Sequence, residues 1–178
     1  ARVRVLPVTD SLLFTLYAPP SRWGDIEVGE TRRKWDRTSR SAVIGLLGAG
    51  LGVLREDDEA QTALSTGYGI AVRLDAGGTP LDEYHPTQTV SASVVKKRRP
   101  ATRAELLAVQ DRETILSRRS YRQDALATAA VWMRGQPRWP LSELADALRQ
   151  PAFVLYAGRK ANALELPLDP EIVPADTL

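Results

Sequence analysis

Residues 40–54 read RSAVIGLLGAGLGVL, apolar from Ala42 onward and interrupted only by glycine. A fully buried strand rarely runs beyond about eight residues, so a run of this length is expected to be a helix. Gly45, Gly48, Gly50 and Gly52 all fall inside it. Each costs a helix interior roughly 0.5–1 kcal/mol relative to alanine. Gly45, Gly48 and Gly52 share a face at spacings of three and four, and close approach of that face to a sheet is the economical reason to keep them. A phosphate-binding P-loop would need a lysine followed by Ser or Thr after the glycines, and none is present.

Working outward from this helix gives an order of elements. Residues 12–18 form a short β-type run ended by Pro19-Pro20. Residues 60–64 suit a short second helical piece, 69–74 alternate as a strand, and 75–78 form a turn. Residues 126–133 read as a strand, 141–149 as an amphipathic helix between Pro140 and Pro151, and 153–156 as a last strand. Strand, helix, strand, strand, helix, strand is the split βαβ pattern. The expected fold class is therefore α+β, a ferredoxin-like (RRM-like) single domain over residues 1–178. Residues 82–117, long, basic and poorly periodic, would be an exposed thumb-like insertion between strands two and three.

The entrance to the glycine-rich helix breaks a local rule. Thr38, Ser39 and Ser41 are good N-cap residues. Yet Arg37 and Arg40 flank them, where the helix dipole favours acids. Backbone N–H groups, hydroxyls and two guanidinium groups together describe a phosphate site, which makes Arg37, Ser39, Arg40 and Ser41 candidate ligands.

The remaining charges are also segregated. The chain of 178 residues carries 24 Lys and Arg against 22 Asp and Glu, a net charge of +2, but the cations cluster. Arg32, Arg33, Lys34, Arg37 and Arg40 form one group, and Lys96, Lys97, Arg98, Arg99 and Arg103 a second. Arg118, Arg119 and Arg122 form a third, and Arg159 with Lys160 a fourth. Acids gather instead at 56–59 and toward the C-terminal end. Such separation points to a polyanion partner. With no cysteine and the single histidine His85, disulfides and multi-ligand Cys or His metal centres are excluded, and no metal or cofactor is expected. The longest apolar run is too short to span a bilayer, so no membrane role is expected and the cytoplasm is the expected location.

Six segments, in order, resemble the motifs of one family. Residues 12–19, LLFTLYAP, with Trp23-Gly24 resemble its first strand and "AP…WG" turn. Residues 38–52 resemble its "PTRS…GLLGAxLG" helix, and Arg55-Glu56-Asp57-Asp58 the "R-x-D-D" that follows. Asp82-Glu83-Tyr84-His85 is similar to "DYH", residues 117–125 to "RxYLxDA", and Ala157-Gly158-Arg159-Lys160 to "LGRK". The family so resembled is the CasD subunit family (the fifth Cas family) of type I-E Cascade, the CRISPR RNA-guided surveillance complex. The chain departs from it in two places: Arg37 stands where the family usually has proline, and Ala161-Asn162-Ala163 replaces "SCP".

The resemblance implies a non-catalytic subunit of an antiviral complex. It would hold the 5′ handle of the CRISPR RNA and cap the complex backbone. It would touch a backbone subunit of the CasC family and the large subunit of the CasA family, with target DNA in the assembled complex. The candidate RNA ligands are then Arg37, Ser39, Arg40, Ser41, Arg118, Arg119, Arg159 and Lys160. The resemblance implies that the insertion is a thumb folding over the RNA at the handle–spacer junction, with Lys96, Lys97, Arg98 and Arg99 as its backbone-contacting cations, and the structural glycines are Gly45, Gly48, Gly52 and Gly158. Two alternatives stand beside this. Type I-C relatives cut precursor RNA with a Tyr, Lys and His set, which Tyr84, His85 and Lys96 or Lys97 could imitate. An unrelated RNA-binding module using its sheet face would place aromatics mid-strand, where only Phe14 and Trp132 are candidates. Arg40 and the Arg159–Lys160 loop are expected to lie about one strand length apart, roughly 17–20 Å, at opposite ends of the sheet, Arg40 at the end where strand one finishes.

Overall fold

The computed structural model describes residues 9–23, 31–32, 38–110 and 112–174. Arg37 therefore lies outside the described residues, as do Arg33 and Lys34. The elements are β1 (Ser11–Ser21), β2 (Thr31–Arg32), α1 (Arg40–Leu51), α2 (Asp58–Gly67), β3 (Tyr68–Ala76) and β4 (Thr79–Thr89). They continue with α3 (Ala92–Arg98), α4 (Arg103–Leu107), β5 (Glu113–Met133), α5 (Leu141–Arg149) and β6 (Glu171–Val173).

The body is α+β. β1 pairs antiparallel with β5 on one side and β6 on the other, and β3 pairs antiparallel with β5, giving the order β6-β1-β5-β3. Alternation decides which face is covered. Leu12, Phe14, Leu16 and Ala18 along β1, and Ala125, Ala127, Ala129 and Val131 along β5, are all buried. All but Ala125 share one core with Val43 and Leu47 of α1, Leu64 of α2, and Leu144 and Leu148 of α5. Phe14 is thus a core residue; Trp132 is half-buried and lies across Gly69, where a Cβ would meet its indole at 2.1 Å.

Local signals explain the helices. Ser39 caps α1 by accepting from the Ala42 amide, and Gly52, in the left-handed region at φ 75°, ends it. The acidic run is the start of α2: Asp57 accepts from the Ala60 amide at 3.0 Å, and Asp58 and Glu59 fill a first turn that favours negative charge.

The glycines do not face the sheet as expected. A Cβ at Gly48 would meet Leu64 of α2 at 3.3 Å, and one at Gly50 would meet the Ala147 carbonyl oxygen of α5 at 2.9 Å. The close approach is helix to helix. Gly45 is exposed, and a Cβ there would meet nothing within 4 Å.

The expected fourth strand at 153–156 is not one. The Ala152 and Phe153 amides donate to the Gly50 and Ala49 carbonyls, so that segment closes the end of α1. The strand beside β1 is β6, three residues between Pro170 and Pro174, pairing with Ser11, Leu12 and Leu13. Its brevity left no periodic signal to read.

Residues 82–117 are not a structureless loop. β4 pairs with the first half of β5 from Thr79↔Gln123 to Thr89↔Glu113, and α3 and α4 close the far end. The result is a two-stranded arm extending the central strand β5 beyond the body. Pro80 and Pro86 of β4 are an even number of residues apart, so both nitrogens, which lack a hydrogen, face the free edge and block a further strand there.

A candidate nucleic-acid interface at the root of the arm

Four parts of the chain meet around residues 118–122 of β5. β1 ends there, with Ser21 opposite Arg122. β2 lies parallel, Thr31 opposite Arg118 and Arg32 opposite Arg119. β4 covers the other edge, Leu81 opposite Tyr121 and Tyr84 opposite Arg118. The fourth part is the loop at 157–162. Its Ala157 carbonyl accepts from the Arg22 amide at 3.1 Å. Asn162, 3 % exposed, closes the loop through its backbone N–H to the Arg159 carbonyl and its side-chain amide to the Ala157 carbonyl. Gly158 sits at φ 84°, and a Cβ on it would lie 1.7 Å from the Arg22 carbonyl oxygen. Only glycine fits so close a crossing.

Arginine–tyrosine contacts occur on both faces of β5 at this junction. The Arg159 guanidinium stands 5.9 Å from the centre of the Tyr121 ring and that of Arg22, a buried residue, 6.0 Å from it. Arg118 lies over Tyr84 at 4.9 Å. Arg122 donates from Nη1 to the Gly77 and Gly78 carbonyls at 3.2 and 3.3 Å. Ser120 donates to Asp82 at 2.5 Å. The Nε atoms of Arg119 and Arg122 are buried, and neither has a hydrogen-bond partner among the described residues. Buried donors are normally satisfied, so each open one is an exception; three residues apart on β5, the two arginines leave opposite faces of the strand, Arg119 on the face of Tyr121 and Arg122 on that of Arg118. Below the junction the Tyr17 hydroxyl donates to Asp124 at 2.9 Å, which holds that phenol above its usual range and keeps it neutral.

The expected ligands divide. Arg119 and Arg159 lie on the Tyr121 side of this root, Arg118 lies with Tyr84 on the other side, and Lys160 is exposed next to Arg159 in the chain. Arg40 does not join them. Its Nη2 donates to the Ser65 and Tyr68 carbonyls at 2.5 and 3.0 Å. The C-terminal end of α2, rather than an anion, offsets this cation at the α1 entrance. Tyr68 pairs with Met133, and Tyr121 lies twelve residues earlier on the same strand, roughly 40 Å of extended chain. The two groups are apart, but in reverse of the expected placement: the Arg159 loop joins the C-terminal end of β1, and Arg40 stands near its start. Ser39 is the N-cap, and its hydroxyl lies 3.0 Å from that of Ser41.

Tyr84 and His85 are neighbours on one strand, so their side chains leave opposite faces of the ribbon. Lys96 and Lys97 lie beyond its end in α3. The three do not converge. No group of three or more possible metal-ligating side chains occurs among the described residues. Arg22 and Tyr121 were not singled out from the sequence as ligands. The available signal was local: Arg22 precedes Trp23 of the turn motif, and Tyr121 is flanked by arginines at 118, 119 and 122.

The fold is a packed sheet-and-helix body bearing a ribbon whose root sets arginines against tyrosines. Comparison with known proteins gives the fold a family. Residues 11–178 match the family described as CRISPR-associated protein (Cas_Cas5), and the chain belongs to that family. It is 32 % identical over 165 residues to "CRISPR system Cascade subunit CasD" of Escherichia coli (strain K12), covering 88 % of this chain and 68 % of that protein. Among solved structures it is similar to a chain of a "CRISPR RNA-guided surveillance complex". The TM-score is 0.64 and the identity 28 %, over 93 % of this chain and 63 % of that one. A second, described as "Crystal structure of Cas protein", has a TM-score of 0.58 and 25 % identity, over 88 % and 60 %. The chain spans less than two thirds of either solved chain.

Proposed function

We propose that this protein is a non-catalytic Cascade subunit that holds the 5′ handle of CRISPR RNA at the root of its arm. The observation that carries this is the buried Nε of Arg119, without a partner among the described residues, on the face of β5 that it shares with Tyr121, whose ring Arg22 and Arg159 flank. Guanidinium groups pair with phosphates, and exposed ring edges and faces take unstacked bases, the two needs of single-stranded RNA. The similarity to CasD supports the assembly: CRISPR RNA, a CasC-family backbone subunit and a CasA-family large subunit as partners, with target DNA in the complex, in the cytoplasm. The strand order β6-β1-β5-β3 is that of a split βαβ sheet, and we read the body as ferredoxin-like, one domain carrying the arm as its thumb.

Phosphate ligands are then Arg118, Arg119, Arg122, Arg159 and Lys160. Ser39, Ser41 and Arg37 keep the role of a second contact at the α1 entrance, and Arg40 becomes an anchor of the fold. An RNA-cutting role is disfavoured by the opposed faces of Tyr84 and His85, and His85→Ala should leave guide maturation unchanged. The test titrates handle-length single-stranded RNA against the protein at several salt concentrations. The variant Arg119→Ala/Arg122→Ala/Arg159→Ala should weaken binding for every spacer sequence, because phosphate contacts position rather than specify. Its log–log salt slope should fall by about 0.7 per lost contact, about 2 in all. An unchanged slope would place the phosphates elsewhere.

A further inference from the structure

We propose that the tip of the arm is a second, separate nucleic-acid site, and that it grips the backbone of double-stranded DNA. It rests on the function above only in taking the root as the RNA site.

The tip is a built platform. Ser91 caps α3 and Thr102 caps α4, while the Glu105 carboxylate accepts from the Ala101 amide at 2.9 Å. Val90 and Val109 are buried beneath, and Arg112 is tied down by its bonds to the Val109 and Leu107 carbonyls. On this frame Lys96, Lys97 and Arg98 form the last turn of α3, Arg99 is its left-handed cap, and Arg103 opens α4. All five are exposed, and none forms an ion pair among the described residues. The helix dipole accounts for a cation ending α3 but not for Arg103, which stands at the end that repels it. Five exposed cations on a fixed frame, with no ion pair among the described residues, are the counterpart of a row of phosphates.

This row is not a continuation of the root. Tyr121 and Glu113 are eight residues apart on β5, roughly 27 Å. Between them the ribbon, residues 86–89 and 113–117, contains Glu113 but no lysine or arginine. Ile115 and Leu116 are exposed there, 53 % and 57 %. A strand running from root to tip would cross an acidic and apolar gap.

The side-chain chemistry also differs. The root has Tyr84, Tyr121 and His85, but residues 86–120 contain no Phe, Tyr, Trp or His. Single strands are held by stacking on rings as well as by charge. A duplex keeps its bases paired inside and offers phosphates to cations alone. A tip of cations without rings therefore fits the duplex.

The test uses the whole chain with a labelled duplex of arbitrary sequence, about 30 base pairs or three helical turns, and in parallel with handle-length single-stranded RNA. Binding is read at salt concentrations from about 50 to 200 mM. Lys96→Ala/Lys97→Ala/Arg98→Ala/Arg99→Ala should lower duplex affinity at least about tenfold and its salt slope by about 0.9 per lost contact, with RNA binding unchanged. The root variant Arg119→Ala/Arg122→Ala/Arg159→Ala should do the reverse. Lys96→Gln/Lys97→Gln, which leaves the α3 cap in place, should give about half the slope change and an unchanged melting temperature. Failure of the wild type to bind duplex overturns the proposal. So does a tip variant that loses RNA but not duplex binding, or neither; the last result would turn the tip toward an acidic protein surface. Failure of the wild type to bind RNA, with duplex binding kept, would sink the root reading and leave the tip standing.

Discussion

Leu144 and Leu116 are both leucines in regular structure, one in the body and one on the arm. Leu144 is fully buried under the sheet, whereas Leu116 is 57 % exposed on a two-stranded ribbon. The body is held by apolar area removed from water, and its sequence alternates or repeats accordingly. The arm has almost no such area. Ladder bonds, cation–ring contacts such as Arg118 on Tyr84, and a small apolar cluster at its tip hold it. A lone two-stranded hairpin is marginally stable in water. The arm is therefore the part of the molecule whose order a bound partner can change most, and the part that places arginines where a phosphate can reach them.

The sharpest contrast is in stability. Leu144→Ala should cost about 2–5 kcal/mol and lower the melting temperature steeply, because it opens a cavity in the body. Gly158→Ala should come next, about 1–3 kcal/mol, since it forces a Cβ onto the Arg22 carbonyl at a positive φ. Unlike Leu144→Ala, it should also weaken RNA binding in the protein that stays folded, because this glycine sets Arg159 beside Tyr121. Arg40→Ala should cost about 1 kcal/mol in a thermal melt, the worth of its bonds to the Ser65 and Tyr68 carbonyls, and leave RNA affinity intact. A loss of RNA affinity in that variant would return Arg40 to the ligands. Leu116→Ala should change stability by less than about 0.5 kcal/mol. A larger drop would mean that the arm folds back onto something apolar.

The same contrast explains what could be read from the sequence. The helix at 141–149 was legible to the residue, since Pro140 opens it and Leu141, Leu144, Ala145 and Leu148 share its buried face. The body strands were legible wherever one face is buried. The ribbon was not, because both its faces are largely exposed over 79–88 and 113–116 and no alternation is required there. Only its charge stood out. β6 was missed because three residues carry no period, and 153–156 looked like a strand because it is a short apolar run, whereas its start closes the end of α1 and leaves Phe153 and Val154 exposed. Among the cations at the root, charge clustering singled out Arg118, Arg119 and Arg159. It could not find Arg22, a buried cation with no basic neighbour, nor foresee that Arg40 is spent on two carbonyls.

The central claim, that RNA binds at the root of the arm, is tested most directly by amide hydrogen exchange of the whole protein with and without handle RNA. Free, the amides of Thr79–Thr89 and of the first half of β5 should exchange fast, and those of β1 and the second half of β5 slowly. With RNA, protection should rise most around residues 118–123 and 157–162 and leave the body unchanged. Protection appearing instead on the sheet face around Trp132, with the root unaffected, would contradict the account.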